Sequence, residues 1–212
     1  ERYVVPLQQH IGAPPDVNVK KKDAVAKGQC LAASGGFVSA PVHAPTSGTV
    51  KAVSACLTPT GGTVPAVEIE ADGEDREDAG LEPIADWEAA SVEELKGRIS
   101  DAGVVGMGGA ALPTHVKLSP RPEKRIDTLI INGAECEPYL TNDHCLMLAE
   151  PEKIVTGIQI IRRILDVTQV VVAIEDNKTD AIETMAKAAG GVDEISTVGL
   201  EVFYPQGAEK QL

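Results

Sequence analysis

Aromatic side chains are scarce. They make up 3% of the 212 residues, as two Phe, one Trp and three Tyr, so a base-stacking platform for single-stranded nucleic acid is not expected. Cations are in deficit as well: 19 Lys and Arg stand against 32 Asp and Glu, a formal net charge of -13. Binding a phosphate backbone draws on clustered Lys and Arg, so nucleic acid is excluded as a partner. No run of about 18 apolar residues occurs, and hence no segment able to span a bilayer. Any membrane association is therefore expected to go through a partner. The four cysteines, Cys30, Cys56, Cys136 and Cys145, form no C-x-x-C pair, which argues against a zinc knuckle or an iron–sulfur cluster within the chain and reads as free thiols in a reducing compartment. Residues 1–6 lack the basic cluster and long apolar stretch of a secretory leader, so a cytoplasmic location is expected. Cys136, Asp143, His144 and Cys145 gather within ten residues but fit no zinc-ligand spacing, and no serine stands in a G-x-S-x-G context. No metal site and no hydrolase triad are expected.

What is present is a globular composition, 43% hydrophobic, long enough for a sizeable core. The first third is rich in Gly, Pro, Val, Ala and Thr. Short extended runs at 37–40, 48–53 and 64–69 alternate with turn signals at Gly35-Gly36, 45–48 and 59–62, a spacing that predicts a small all-β sandwich or barrel. The acid-rich stretch 71–80 reads as a solvated linker. Ser91 with Glu94 matches a capping box, Val92, Leu95 and Ile99 share one helical face, and Gly103 supplies a stop, so a helix is predicted over 91–101.

Beyond that point the pattern alternates. Apolar β-branched runs at 128–132, 169–174 and 198–204 are separated by helical periodicity over 151–165 and 179–189. Strands this apolar predict a parallel sheet covered on both faces, with ligands beyond the strands' carboxyl ends.

Three segments could carry chemistry. Gly106, Gly108, Gly109 and Ala110 form a nearly side-chain-free stretch against which a flat ring or a phosphate could lie, and Lys117 could neutralise a phosphate. The stretch matches neither the P-loop nor the usual dinucleotide fingerprint; alone, such a turn serves structure as readily as binding. Asn132, Glu135 and Glu137 follow a strand and offer an amide and two carboxylates to a ring with hydrogen-bonding edges, although loop acids are commonly no more than solubilising. Tyr204, Gly207 and Glu209 follow the last run, where a plain strand-to-helix connection is the rival reading.

The strings GMGGAALPTH, DTLIINGAECEPYLTNDH, VVVAIEDNK and YPQGAEKQL, in this order, resemble the RnfC subunit of Rnf-type electron transport complexes across nearly the whole chain, and more distantly the FMN-binding flavoprotein subunit of respiratory complex I. The string VAKGQCLAASGGFVSAPVHAPTSGTVKAV resembles the barrel-sandwich hybrid module of biotinyl and lipoyl carriers, with Gly35-Gly36 where a carrier needs its lysine. The module is therefore expected to be unmodified and structural.

The resemblance implies a barrel-sandwich module over 1–75, an acidic linker and helix start over 76–98, and a parallel α/β, Rossmann-like FMN/NADH-binding domain over 99–212. It implies FMN and NAD(H) as cofactors. Gly106, Gly108, Gly109 and Ala110 would line the flavin with Lys117 near its phosphate. Asn132 would hydrogen-bond the cofactor, Glu135 and Glu137 would border the flavin and nicotinamide pocket, and Tyr204, Gly207 and Glu209 would close the site. Family members usually read Gly then Phe where this chain has Ala111 and Leu112, which removes a stacking contact worth on the order of 1 kcal/mol from the nucleotide side. Acids of the complex I relative are Ala134 and Ala208 here, again on the nucleotide side.

Full-length members continue into cysteine-rich regions for 4Fe-4S clusters, so the chain reads as a fragment ending at the start of a helix. Its implied partners are other Rnf subunits, a nicotinamide nucleotide and, indirectly, ferredoxin. Its implied place is peripheral, on the inner face of the cell membrane. Two rivals share these features: a non-catalytic docking fragment of a redox assembly, and a cobalamin reductase of the microcompartment type.

Overall fold

The computed structural model describes all residues except Pro59, Thr60, Gly108, Gly109, Pro122 and Lys124. It divides into two compact units, Glu1–Pro120 and Arg121–Leu212.

The first unit is built on two antiparallel sheets. One runs in the order β1 (Arg2–Pro6), β7 (Thr63–Ala71), β6 (Gly48–Leu57), β3 (Ala24–Val25); the other runs β2 (Asp16–Val17), β4 (Cys30–Ala33), β5 (Val42–His43). Side chains alternate across a strand, and along β6 Val50 points inward while Thr49 and Lys51 face water. Val5, Leu7, Leu31, Val42, Val50, Val67 and Ile69 form the shared core. Helix α1 (Val92–Asp101) begins as the capping box predicts, with Glu94 N–H donating to Ser91 Oγ at 3.1 Å, and the chain turns away at Gly103 with φ +68°.

Two expectations fail in this unit. Residues 37–40 form no strand. Their polar partners are side chains instead of a neighbouring ladder: His10 Nε2 accepts from Ala40 N–H at 3.1 Å, and Ser39 Oγ accepts from Gly35 N–H at 3.0 Å. Nor is 71–80 a solvated linker. Asp72 accepts from Ser47 Oγ at 2.6 Å, Glu74 N–H at 3.0 Å and Arg76 at 3.0 Å, while Lys27 pairs with Asp75 at 2.6 Å. Backbone bonds from Lys27 N–H to Arg76 O and from Asp78 N–H to Lys27 O, both 2.8 Å, complete the docking. Charge alone did not reveal that this run has partners waiting for it on the barrel.

The second unit holds a parallel sheet in the order β10 (Ile195–Leu200), β9 (Gln169–Glu175), β8 (Thr128–Gly133). Helices α3 (Asn142–Ala149), α4 (Pro151–Leu165) and α5 (Thr179–Ala189) connect them; α2 (Thr114–Lys117) belongs to the first unit. Neither α2 nor α3 was foreseen, and the last strand stops at Leu200, four residues short of the expected end. Val170, Val172, Ile174 and Ile195 point to one face and pack with Met147, Val155, Ile158, Ala181 and Met185 from the three helices. On the opposite face Ile130 and Val198 are exposed. Within this unit the helices therefore cover one face of the sheet rather than two.

The Asp72 cluster has a pH signature. Hydrogen bonds from Ser47, the Glu74 amide and Arg76 hold its carboxyl at about 2, below the usual 3.8. The folded state thus favours the ionised form, and the resulting stability is present above the ordinary carboxylate range and lost as pH falls through about 2. Asp72→Asn is expected to lower the urea midpoint at neutral pH, with the gap to the wild type closing between pH 4 and pH 2. A gap independent of pH would discard this account.

Candidate functional site

Strand β8 ends on Asn132 and Gly133, where the chain must leave the sheet edge. Asn132 Nδ2 donates to Gly207 O at 2.7 Å, and its Oδ1 accepts from Ala134 N–H at 3.1 Å. Gly207 N–H donates to Cys136 Sγ at 3.2 Å. The segment after β10 is thereby tied to the loop after β8, 75 residues earlier. A Cβ on Gly207 would stand 2.3 Å from Ala134 O, so glycine there is a condition of this close approach. After these bonds an amide still has one N–H and one lone pair to offer, and Asn132 is exposed.

Glu135 is committed elsewhere. Its carboxylate accepts from Asp143 N–H at 2.8 Å and His144 N–H at 3.3 Å, capping the N-terminus of α3, where a negative charge also meets the positive end of the helix dipole. Burial and the nearby Glu135 charge push the Asp143 carboxyl up. His144 Nε2–H donates to Asp180 Oδ1 at 2.9 Å, joining α3 to α5. Glu137, Tyr204 and Glu209 are exposed on the same unit. Of the expected residues, Asn132, Glu135 and Gly207 thus share one hydrogen-bonded junction.

The sequence reading missed the most buried charges of this region. Glu175, the last residue of β9, is 2% exposed and ion-paired with Lys178, at 8%. Lys178 Nζ also lies 3.5 Å from Glu135 O, so the pair underpins the loop after β8. Glu175 Oε1 has no hydrogen-bond partner among the described residues. The available signal was an acid ending a wholly apolar strand, with a lysine three residues on.

In the first unit, Gly106 N–H donates to Leu112 O at 3.0 Å and Thr114 N–H to Val104 O at 2.9 Å, closing residues 106–112 into a loop before α2. Gly108 and Gly109 lie outside the described residues. Met107 projects into solvent and Lys117 is exposed on α2. Ala111, where family members usually carry glycine, has φ +50°, a left-handed conformation that costs a residue with a Cβ about 1 kcal/mol. At Gly106 an added Cβ would meet nothing nearer than 3.7 Å. The bare backbone there is not required by the protein's own packing.

Residues 99–212 match the family described as the Nuo51 FMN-binding domain, and residues 1–74 match the RnfC barrel sandwich hybrid domain. The chain belongs to the RnfC family. A relative from Clostridium ljungdahlii, the RnfC-type component of a proton-translocating ferredoxin:NAD(+) oxidoreductase complex, is 49% identical over the whole chain and 46% of its own length. The Na(+)-translocating counterpart from Acetobacterium woodii is 45% identical over the whole chain and 48% of its own length. The corresponding component of the ion-translocating oxidoreductase complex of Haemophilus influenzae is 42% identical over 99% of the chain and 26% of its own length. The chain thus spans about half the length of these family members or less. An NAD+-reducing NiFe-hydrogenase crystal structure aligns with 56% of this chain and 22% of its own at 21% identity and a TM-score of 0.49, a likeness too slight to add to the family assignment.

Two stability outcomes follow from the junction. Lys178→Met leaves a carboxylate buried without its partner and is expected to cost about 3–5 kcal/mol in urea unfolding, most of it recovered in the Lys178→Met/Glu175→Leu double variant. Gly207→Ala is expected to destabilise by about 1–3 kcal/mol, since its Cβ meets a backbone oxygen that cannot step aside.

Proposed function

We propose that this chain is the flavin- and nucleotide-handling part of an electron-transfer subunit, exchanging electrons between NAD(H) and FMN within an ion-translocating ferredoxin:NAD(+) oxidoreductase. The observation that carries the reading is the loop 106–112, closed by its own backbone bonds yet bare at Gly106 for no reason of internal packing. It lies in the segment that matches an FMN-binding family. The names of the relatives favour electron transport over the docking and corrin-reduction rivals.

In this reading Gly106, Gly108, Gly109 and Ala110 lie against the isoalloxazine, with Lys117 serving its phosphate. Asn132 offers its remaining donor and acceptor to the ring edge. Glu135 keeps the loop after β8 in place through α3, and the exposed Glu137 borders the nicotinamide pocket. Tyr204 and Glu209 close the nucleotide side, with Gly207 fixing their backbone. Bound FMN would supply the conversion between two-electron exchange with a nicotinamide and single-electron steps. The carboxylates contribute field: negative charge beside the ring disfavours adding electrons to it and lowers its potential. That suits exchange with a low-potential ferredoxin.

Iron–sulfur clusters in a longer polypeptide, other Rnf subunits and, indirectly, ferredoxin are the proposed partners. No helix among the described residues is long and apolar enough to cross a membrane. Attachment at the inner face of the cell membrane would therefore rest on those partner subunits.

FMN added to the full-length protein should bind, and NADH should then bleach its absorption; a protein that takes up no flavin overturns the reading. Gly106→Ala should alter stability by less than about 0.5 kcal/mol while weakening FMN binding. Glu137→Gln should raise the flavin midpoint potential, where a shift on the order of 30 mV corresponds to about 1.4 kcal/mol for a two-electron couple. An unchanged potential removes Glu137 from this role.

A further inference from the structure

The hairpin tip that would carry the modified lysine in a biotinyl or lipoyl carrier is occupied here by Gly35, Gly36 and Phe37. This tip is not free. Phe37 O accepts from His115 Nε2–H at 2.8 Å, and the two rings meet edge to face, 5.8 Å apart at 83°. His115 is the second residue of α2 and only 9% exposed. A carbonyl oxygen can only accept, so Nε2 carries the proton; Nδ1 is buried without a partner among the described residues. The ring therefore has a single polar tether, and it runs to the hairpin tip.

A second tether holds the other flank of the same segment. Ile11 N–H donates to Ala110 O at 3.1 Å, and Ala13 N–H donates to Val38 O at 2.9 Å. His10 fixes this stretch: its Nδ1–H donates to Ile11 O at 2.9 Å, which leaves Nε2 to accept from Ala40 N–H at 3.1 Å. Two histidines, one on either side, thus stitch the Gly-rich segment and the start of α2 to the barrel. The compact unit accordingly ends at Pro120, well past the barrel strands.

We infer that the barrel module is a clamp that holds the loop 106–112 in its binding shape, with Phe37 and His115 as positioning residues for the flavin. This rests on the flavoprotein reading above. A loop rich in glycine loses much backbone freedom when a ligand fixes it, and one fixed beforehand spares binding that loss. The carrier hairpin has kept its fold while its tip serves a static purpose.

The test uses the full-length protein and three variants. Gln can present an N–H near the place of His Nε2 and Asn cannot, so His115→Gln should retain the tether and His115→Asn should lose it. Phe37→Ala, at a residue 64% exposed, removes the ring contact with little risk to folding. Amide hydrogen exchange over 104–114 should quicken in His115→Asn and Phe37→Ala while that over 63–71 stays unchanged. The FMN dissociation constant, read by flavin fluorescence, should rise up to roughly tenfold, the loss of one hydrogen bond, and His115→Gln should restore both readings. Unchanged exchange in His115→Asn and Phe37→Ala overturns the clamp. Faster exchange with unchanged FMN affinity overturns the positioning role and leaves the flavin reading standing. A wild-type protein that binds no FMN overturns the flavin reading and the positioning role together.

Discussion

Parallel strands all finish at the same edge of their sheet, so the loops leaving β8, β9 and β10 must share one crowded rim. Much in the second unit answers to that crowding. The chain leaves β8 through an asparagine that bonds its own next turn, leaves β9 through a buried ion pair, and after β10 returns to press a glycine against the first loop. Each loop is braced by another, and a side chain offered at this rim is offered from a fixed place.

Charge is managed differently in the two units. With 32 acids to 19 bases, cations are scarce, and in the first unit Lys27, Lys51 and Arg76 are all engaged by carboxylates on or just beyond β7. These are exposed contacts, of small individual worth, which work as a group by fastening the run after β7. In the second unit one lysine is withdrawn from water altogether. Burying a charge is costly, and the sheet rim accepts that cost where its loops converge.

The sequence was most legible where a local pattern decided the outcome. Helices over 151–165 and 179–189 match to the residue, because their apolar faces repeat at 3.6 residues and Pro151 opens the first. The Ser91 cap and the Gly103 stop are likewise local. What escaped was set by distant partners. The run at 37–40 looks extended, yet its amides are taken by His10 and Ser39. Helix α3 carries no side-chain cap of its own and is capped by Glu135 from the preceding loop. The site residues were legible as types in an order, whereas the commitments of Asn132, Glu135 and Gly207 to one another depend on contacts across 8 to 75 residues. Glu175 and Lys178 read as ordinary charges until the fold encloses them.

The seam between the two matched families falls between residues 74 and 99, whereas the seam between compact units falls at residue 120. The stretch between those limits belongs by ancestry to one family and by contact largely to the other. Cutting the gene where the families meet would take the Gly-rich loop away from Ile11 and Phe37 and leave it to find its own shape. A recombinant α/β piece starting near residue 99 would be a faithful piece of the alignment and an unfaithful piece of the molecule.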